Sequence, residues 1–394
     1  MERPKSITKV EFCAKLEHLK KILKENNFRA IYLCSEGALR WLTGMRHQVI
    51  DINPNAPTTV QALVTTEPEL SITFFSDPWE AFRVHDVIAG GIWKKTTIPV
   101  TYAETEVDLQ NPAILTPNNP NYYDLERAIV SPLAEGLIGN QWEKLTWLIA
   151  QSRQALLEVA STLQVGMTGW QLRTIVYETF HRRHLELNLV MLGLSGMQKH
   201  THPVIEDDSR IEDGSIVKLV IGGRYFDMFH SASQLVKIGQ EPTERELLVH
   251  EALQVATLDY AALFRAGALE SDLYAALGPI FKRVAQTYDL PGFAESAYLH
   301  HAGGPLSPLG NRDFVISQDG VRKIYPYAQF SVNPVDALEY LKFELQGVAL
   351  PDASPLICDE FSWCTDHNLF VTRQFNQDSL HLPTIITNGV TLHA

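Results

Sequence analysis

Apolar residues recur along this chain in two rhythms, one close to 3.6 residues and one close to two. Within 10–26, Phe12, Leu16, Leu19, Ile22 and Leu23 fall on one helical face and predict a helix. The run 30–34 predicts a strand, and 38–42 a short helix stopped by Thr43 and Gly44. Segments 59–65 and 70–75 read as strands, 79–87 as a helix and 91–99 as a strand. This alternation predicts a small α/β domain. Segment 111–123 is rich in Pro and Asn and reads as loop, followed by a short strand-like stretch at 136–139.

A long helix is predicted over 141–163, which places a domain boundary near 140 and divides the chain into 1–140 and 141–394. Thr168 is placed to cap a helix over 169–184, because its hydroxyl can satisfy a free amide of the first turn. Leu172, Ile175, Val176, Thr179 and Phe180 form that helix's apolar face. β-rich runs at 190–194 and 216–221 flank the polar stretch 200–214. A strand pair is predicted at 216–225 and 228–238, turning at Phe226 and Asp227, where Asp suits a turn for backbone reasons. Helices follow at 243–264 and 271–288, and strands fill the remainder, so the second domain reads as α+β.

Composition adds exclusions. The 394 residues suffice for two domains, and 45% hydrophobic with 20% charged content is that of a soluble globular protein. A net charge of −13 argues against a nucleic-acid surface while leaving room for a local basic pocket. The polar, helical start lacks the apolar core of a signal peptide, and no apolar run reaches the ~18 residues needed to span a bilayer. Cys13, Cys34, Cys358 and Cys364 contain no CxxC pair and read as buried structural thiols of a cytoplasmic protein. A redox or metal pair at Cys358 and Cys364 is the alternative.

Chemistry concentrates in 216–239, 298–314, 328–334 and 341–350, each a strand-like run with polar residues at set places. Together with LCSEGALRWLTG at 33–44, VGMTGWQLR at 165–173 and the pair His202-Pro203, these runs carry HHAGG, SVNP and FEL in order. The order and spacing resemble the pita-bread superfamily of aminopeptidase P, prolidase, methionine aminopeptidase and creatinase. The resemblance implies a pita-bread α+β domain, two pseudo-symmetric halves around a curved antiparallel sheet, preceded by the smaller α/β domain. It also implies a homodimer and a pocket in which two Asp, one His and two Glu hold two divalent metals.

Carried onto this chain, the five positions are Val220, Ser231, His300, Asn333 and Glu344, with Gln234 replacing an arginine. Bridging carboxylates hold paired cations ~3.5–4 Å apart. One imidazole and one carboxylate are too few even for one catalytic zinc, which takes three protein ligands. The expectation is no cofactor, with a single metal rebuilt from His202, His230, His301 and Asp227 left open. For His230 the simpler reading is a strand residue facing solvent or packed on a neighbour. Gly303 and Gly304 read as points of close backbone approach.

The leading expectation is a metal-independent hydrolase of a small C–N (amide, peptide or amidino) substrate. The resemblance makes His202 the proton shuttle, acting with His300 and Glu344, because an imidazole titrates near neutral pH. His301, Asn333, Arg312 and Ser231 would bind the substrate. Arg312-Asp313 also fits approximately, with Asp in place of Glu, a divergent branch patterned HHxGG…RE…NP…E, and Arg312 suits a substrate carboxylate or a structural salt bridge equally. Two alternatives stay open: a catalytically inactive binding protein, and an Xaa-Pro metallopeptidase with an atypical metal site. The expected partner is a small molecule or short peptide, with no nucleic acid and no membrane.

Overall fold

The computed structural model describes residues 2–45, 57–76, 78–104, 107–130, 140–194, 205–299, 302–306, 315–351 and 353–358, and short strands beyond 362. Helix α1, Lys9–Glu25, starts where the Thr8 hydroxyl accepts from the Glu11 amide, and it buries Phe12, Leu16, Leu19 and Leu23. Strand β1, Ala30–Ser35, leads into α2, Glu36–Thr43, which ends at Gly44 in the left-handed region. Only glycine fits there, since φ is +64° and an added Cβ would lie 2.6 Å from the Ile7 side chain.

Strands β2 (Pro57–Thr65) and β3 (Ser71–Ser76), helix α3 (Ala81–Gly90), β4 (Val100–Ala103), β5 (Ile114–Leu115) and α4 (Tyr122–Val130) complete the N-terminal portion. Its sheet runs β4-β3-β2-β1-β5. Two expectations fail here. The predicted strand over 91–99 is instead a 3-10 turn, Ile92–Lys95, and the strand begins at Val100. Trp93 decides this: its indole donates to the Ile88 carbonyl at 2.8 Å, and its ring packs against Phe12 and Phe74. The predicted loop over 111–123 contains β5 and the start of α4. Tyr122 anchors that start, its hydroxyl donating to the Tyr32 carbonyl and to Glu126, each at 2.9 Å.

In the C-terminal portion the order helix, helix, three strands occurs twice. The first set is α5 (Gln141–Thr162), α6 (Gly169–Arg182), β6 (Glu186–Gly193), β7 (Ile216–Tyr225) and β8 (Met228–Lys237). The second is α7 (Glu244–Ala261), α8 (Glu270–Thr287), β9 (Gly304–Pro305), β10 (Gln329–Val332) and β11 (Leu345–Val348). Thr168 caps α6 as expected, and Thr243 caps α7; both complete a reciprocal capping box. Sheets ordered β14-β13-β8-β7-β6 and β12-β11-β10-β9 follow, with β12 Leu356–Ile357, β13 Trp363–Thr365 and β14 Leu369–Phe370. One apolar cluster joins α5 and α6 to the first sheet, and another joins α7 and α8 to the second. The result is the α+β pita-bread architecture, with a polar face left between the two helix-backed sheets.

Candidate functional site

The site begins with the β7–β8 hairpin. Val220 pairs with Ser233 and Gly222 with Ser231, so all four share one face of the sheet. Leu219, Ile221, Ala232 and Val236 take the other face and join the cluster of α5 and α6. The alternation of a strand therefore sends position 220 and position 231 towards the same space.

Strands β10 and β11 meet that space from the other half. Gln329, Ser331 and Asn333 alternate with Phe330 and Val332, and the apolar pair enters the cluster of α7 and α8. Phe330 stacks on Phe264 with ring centroids 4.5 Å apart. Ser331 pairs with Gln346 and Val332 with Leu345, and a bridge joins Val335 to Lys342. In that register Asn333 lies opposite Glu344. The Glu344 amide donates to the Ser233 hydroxyl at 2.9 Å, which ties this strand pair to the hairpin.

His230, Ser231, Gln329, Ser331, Asn333, Glu344 and Gln346 are each no more than 5% exposed. Burying such groups costs several kcal/mol unless they are hydrogen-bonded. The Gln346 carbonyl oxygen accepts from Gln329 Nε2 at 3.1 Å and lies 3.1 Å from His230 Nδ1. An amide oxygen only accepts, so Nδ1 carries the hydrogen. Gln329 also donates to the Phe229 carbonyl at 2.5 Å. Ser331 Oγ lies 3.5 Å from Asn333 Oδ1. Gly303 fulfils the close approach expected of it: φ is +81°, and an added Cβ would stand 2.1 Å from the Ser331 carbonyl oxygen.

Of the residues singled out from the sequence, the structure brings together Val220, Ser231, Asn333 and Glu344. His202, His300, His301 and Arg312 lie outside the described residues, as does Asp313. Gln234 pairs with Leu219 on the opposite face, and its amide donates to the Leu235 carbonyl at 3.0 Å. His230 does not face solvent; it is fully buried beside Gln346.

Asp227 is more than a turn residue. Its carboxylate accepts from Lys15 at 2.8 Å, from Gln141 at 3.0 Å and from Lys144, while Glu11 binds Lys15 at 2.7 Å and Lys144 at 2.9 Å. All four charged side chains are buried. Despite burial, the two ammonium groups hold the Asp227 carboxyl well below the usual carboxylate range. With its oxygens so engaged, Asp227 serves the junction between α1, α5 and the hairpin tip, not a rebuilt metal site.

Lys218 escaped the sequence reading. It sits two residues before Val220 on the same face of β7, and its ammonium donates to the Tyr340 carbonyl. Burial pushes it down to about 7, with Asp336 opposing the shift and Lys342 adding to it. A lysine inside the apolar run IVKLVIGG was the available signal.

Among the described residues, no three His, Cys, Asp or Glu side chains come together as a metal site. The donor set explains why. Val220 offers no lone pair, Ser231 is a neutral buried hydroxyl, and Asn333 offers an amide. Glu344 is the one carboxylate of the four positions. These residues do not fit a two-metal centre, whose charge needs bridging carboxylates.

The family model for metallopeptidase family M24 matches residues 145–319. No curated relative matches the chain by sequence. Several solved structures share its fold. A dipeptidase, PepE, from Mycobacterium ulcerans is 15% identical, with a TM-score of 0.65 over 92% of this chain and 99% of that one. An X-Pro aminopeptidase from Thermotoga maritima is 15% identical, with a TM-score of 0.64 over 89% and 99%. An Xaa-Pro dipeptidase from Bacillus anthracis is 11% identical, with a TM-score of 0.66 over 90% and 99%. Fold and central segment agree: the chain has the pita-bread fold of these peptidases, its residues 145–319 match the M24 family model, and its described ligand positions form no metal cluster.

Proposed function

We propose that this protein hydrolyses a small C–N substrate, an amide, short peptide or amidine, without a dinuclear metal centre. The observation that carries the reading is the polar face itself. The carboxylate positions have become Val220, Ser231 and Asn333, yet Glu344, Gln346, Gln329 and Ser331 keep the interior polar instead of filling it with apolar side chains. In this reading Glu344 holds a cationic amino or amidino group, and Asn333 orients a carbonyl or amine. His202 takes a proton from water as its oxygen bonds to the substrate carbon. His202 then returns that proton to the nitrogen as the C–N bond breaks. His300 acts together with Glu344 in catalysis, and His301, Arg312 and Ser231 contribute to binding.

The test is a screen of short peptides, amides and amidines in the presence of a chelator, repeated with His202→Ala and Glu344→Gln. Turnover that resists chelation and falls at least 100-fold in both variants is expected. Turnover unchanged in His202→Ala would remove the proposed shuttle. Two equivalents of zinc, manganese or cobalt retained after desalting would restore the metallopeptidase alternative.

A second reading, a binding protein without catalysis, is favoured by one observation: Val220 and Ser231 are almost closed to solvent, at 1% and 0% exposure. Saturable binding of a substrate-like amide with no turnover would select it.

A further inference from the structure

A cavity of about 570 Å³ opens between the N-terminal segment, α2 and the hairpin end. None of its lining residues belongs to the polar face described above. The volume is that of a small-molecule site. Its charge departs from the rest of the chain: Arg3, Lys5, Arg40 and Arg224 line it with Glu186, in a protein of net charge −13.

The walls are built. Tyr225 donates its hydroxyl to the Pro4 carbonyl at 2.7 Å, Asn140 donates to the Lys5 carbonyl, and Lys144 donates to the Ser6 carbonyl at 3.0 Å. The segment bearing Arg3 and Lys5 is thus held at three successive backbone positions, while both side chains remain exposed at the mouth. Deeper in, Arg40 and Arg224 are 3% and 4% exposed. Arg40 binds Glu186 at 2.5 Å and Glu36 at 2.6 Å. Glu186 lies directly across the β6–β7 ladder from Arg224.

We propose that this cavity binds a small organic anion carrying at least two phosphate or carboxylate groups, held by Arg40 and Arg224 within and by Arg3 and Lys5 at the mouth. Guanidinium groups suit both anions because their planar forks donate in pairs. The electrostatics agree: burial and the nearby Arg40 push Arg224 down to about 10 against the opposing pull of Glu186, Glu36 and Asp227, and an incoming anion adds to that pull. The ligand would touch both portions of the chain, since Arg3, Lys5 and Arg40 come from one and Arg224 and Glu186 from the other.

The experiment is calorimetric titration of the full-length protein with inorganic pyrophosphate and with citrate, each at constant ionic strength. Arg3→Glu/Lys5→Glu is the test variant, because both positions are exposed and their reversal spares the fold. Saturable binding of one anion per chain is expected, weakened at least tenfold in the variant, and the preferred probe names the anion class. Arg224→Lys, which keeps the charge and loses the fork, is expected to bind more weakly than the parent while unfolding at a similar temperature. The absence of saturable binding of both anions, or equal affinity in the Arg3→Glu/Lys5→Glu variant, overturns the proposal.

Discussion

His250, on α7, has no solvent exposure, and its ring meets Phe343 edge-on with centroids 4.9 Å apart. Burial pushes it down to about 3 from the ordinary value near 6.5. The folded protein therefore carries fewer protons at this site than the unfolded chain between pH 6.5 and pH 3. Stability must rise with pH across that window, and it is lost on acidification. At ~1.4 kcal/mol per pH unit the window is worth on the order of 5 kcal/mol. Urea unfolding of the parent is expected to lose stability steadily from pH 6.5 to pH 5, before carboxylates titrate. His250→Leu should flatten that slope. A variant that keeps the full slope would place the acid sensitivity elsewhere.

The strand pair β10–β11 shows how sequence pattern becomes a site at the scale of elements. Gln346 accepts from Gln329 and lies within hydrogen-bonding distance of His230, across residues 17 and 116 positions apart in sequence. Gln346→Leu keeps the approximate volume but removes this acceptor from two buried donors. The expected cost is about 1–3 kcal/mol for each group left without it. A double-mutant cycle with Gln329→Leu should recover part of that cost, and strict additivity would show that the two amides are not coupled. The strand-like run 328–334 made β10 legible, and the Thr168 cap made α6 legible, because both signals are local. The failures were local signals overruled from a distance. Trp93 is drawn into a 3-10 turn by Phe12 and Phe74, and Tyr122 starts a helix because Tyr32 and Glu126 receive its hydroxyl. At the candidate site, strand register sets Ser231, Asn333 and Glu344 towards one polar face. The Gln346–His230 contact and the depressed Lys218 depend on chain separations of about 100 residues or more, which no local pattern encodes.

At the scale of the whole molecule, the N-terminal portion meets the rest through buried charge. Glu11 and Lys15 come from α1, Lys144 and Gln141 from α5, and Asp227 from the hairpin tip. The junction extends through Arg40 to Glu186. An apolar joint tolerates truncation gradually, whereas removing one member of a buried ion cluster strands its partners in low dielectric, at about 3–5 kcal/mol. Asp227→Asn leaves two lysines facing one glutamate. The core clusters on either side, one within 7–130 and two beyond 142, contain none of these side chains and should survive. The parent is expected to unfold in urea as one transition. Asp227→Asn is expected to show two, the N-terminal portion parting first and becoming protease-sensitive while the C-terminal portion holds. Acid should act in the same direction. Because the Asp227 carboxyl is held far below its unfolded value, its contribution is complete above about pH 4 and is lost as pH falls below that. A single, undiminished transition in Asp227→Asn would mean that apolar contacts alone join the two portions, and that the charge cluster fixes their orientation without holding them together.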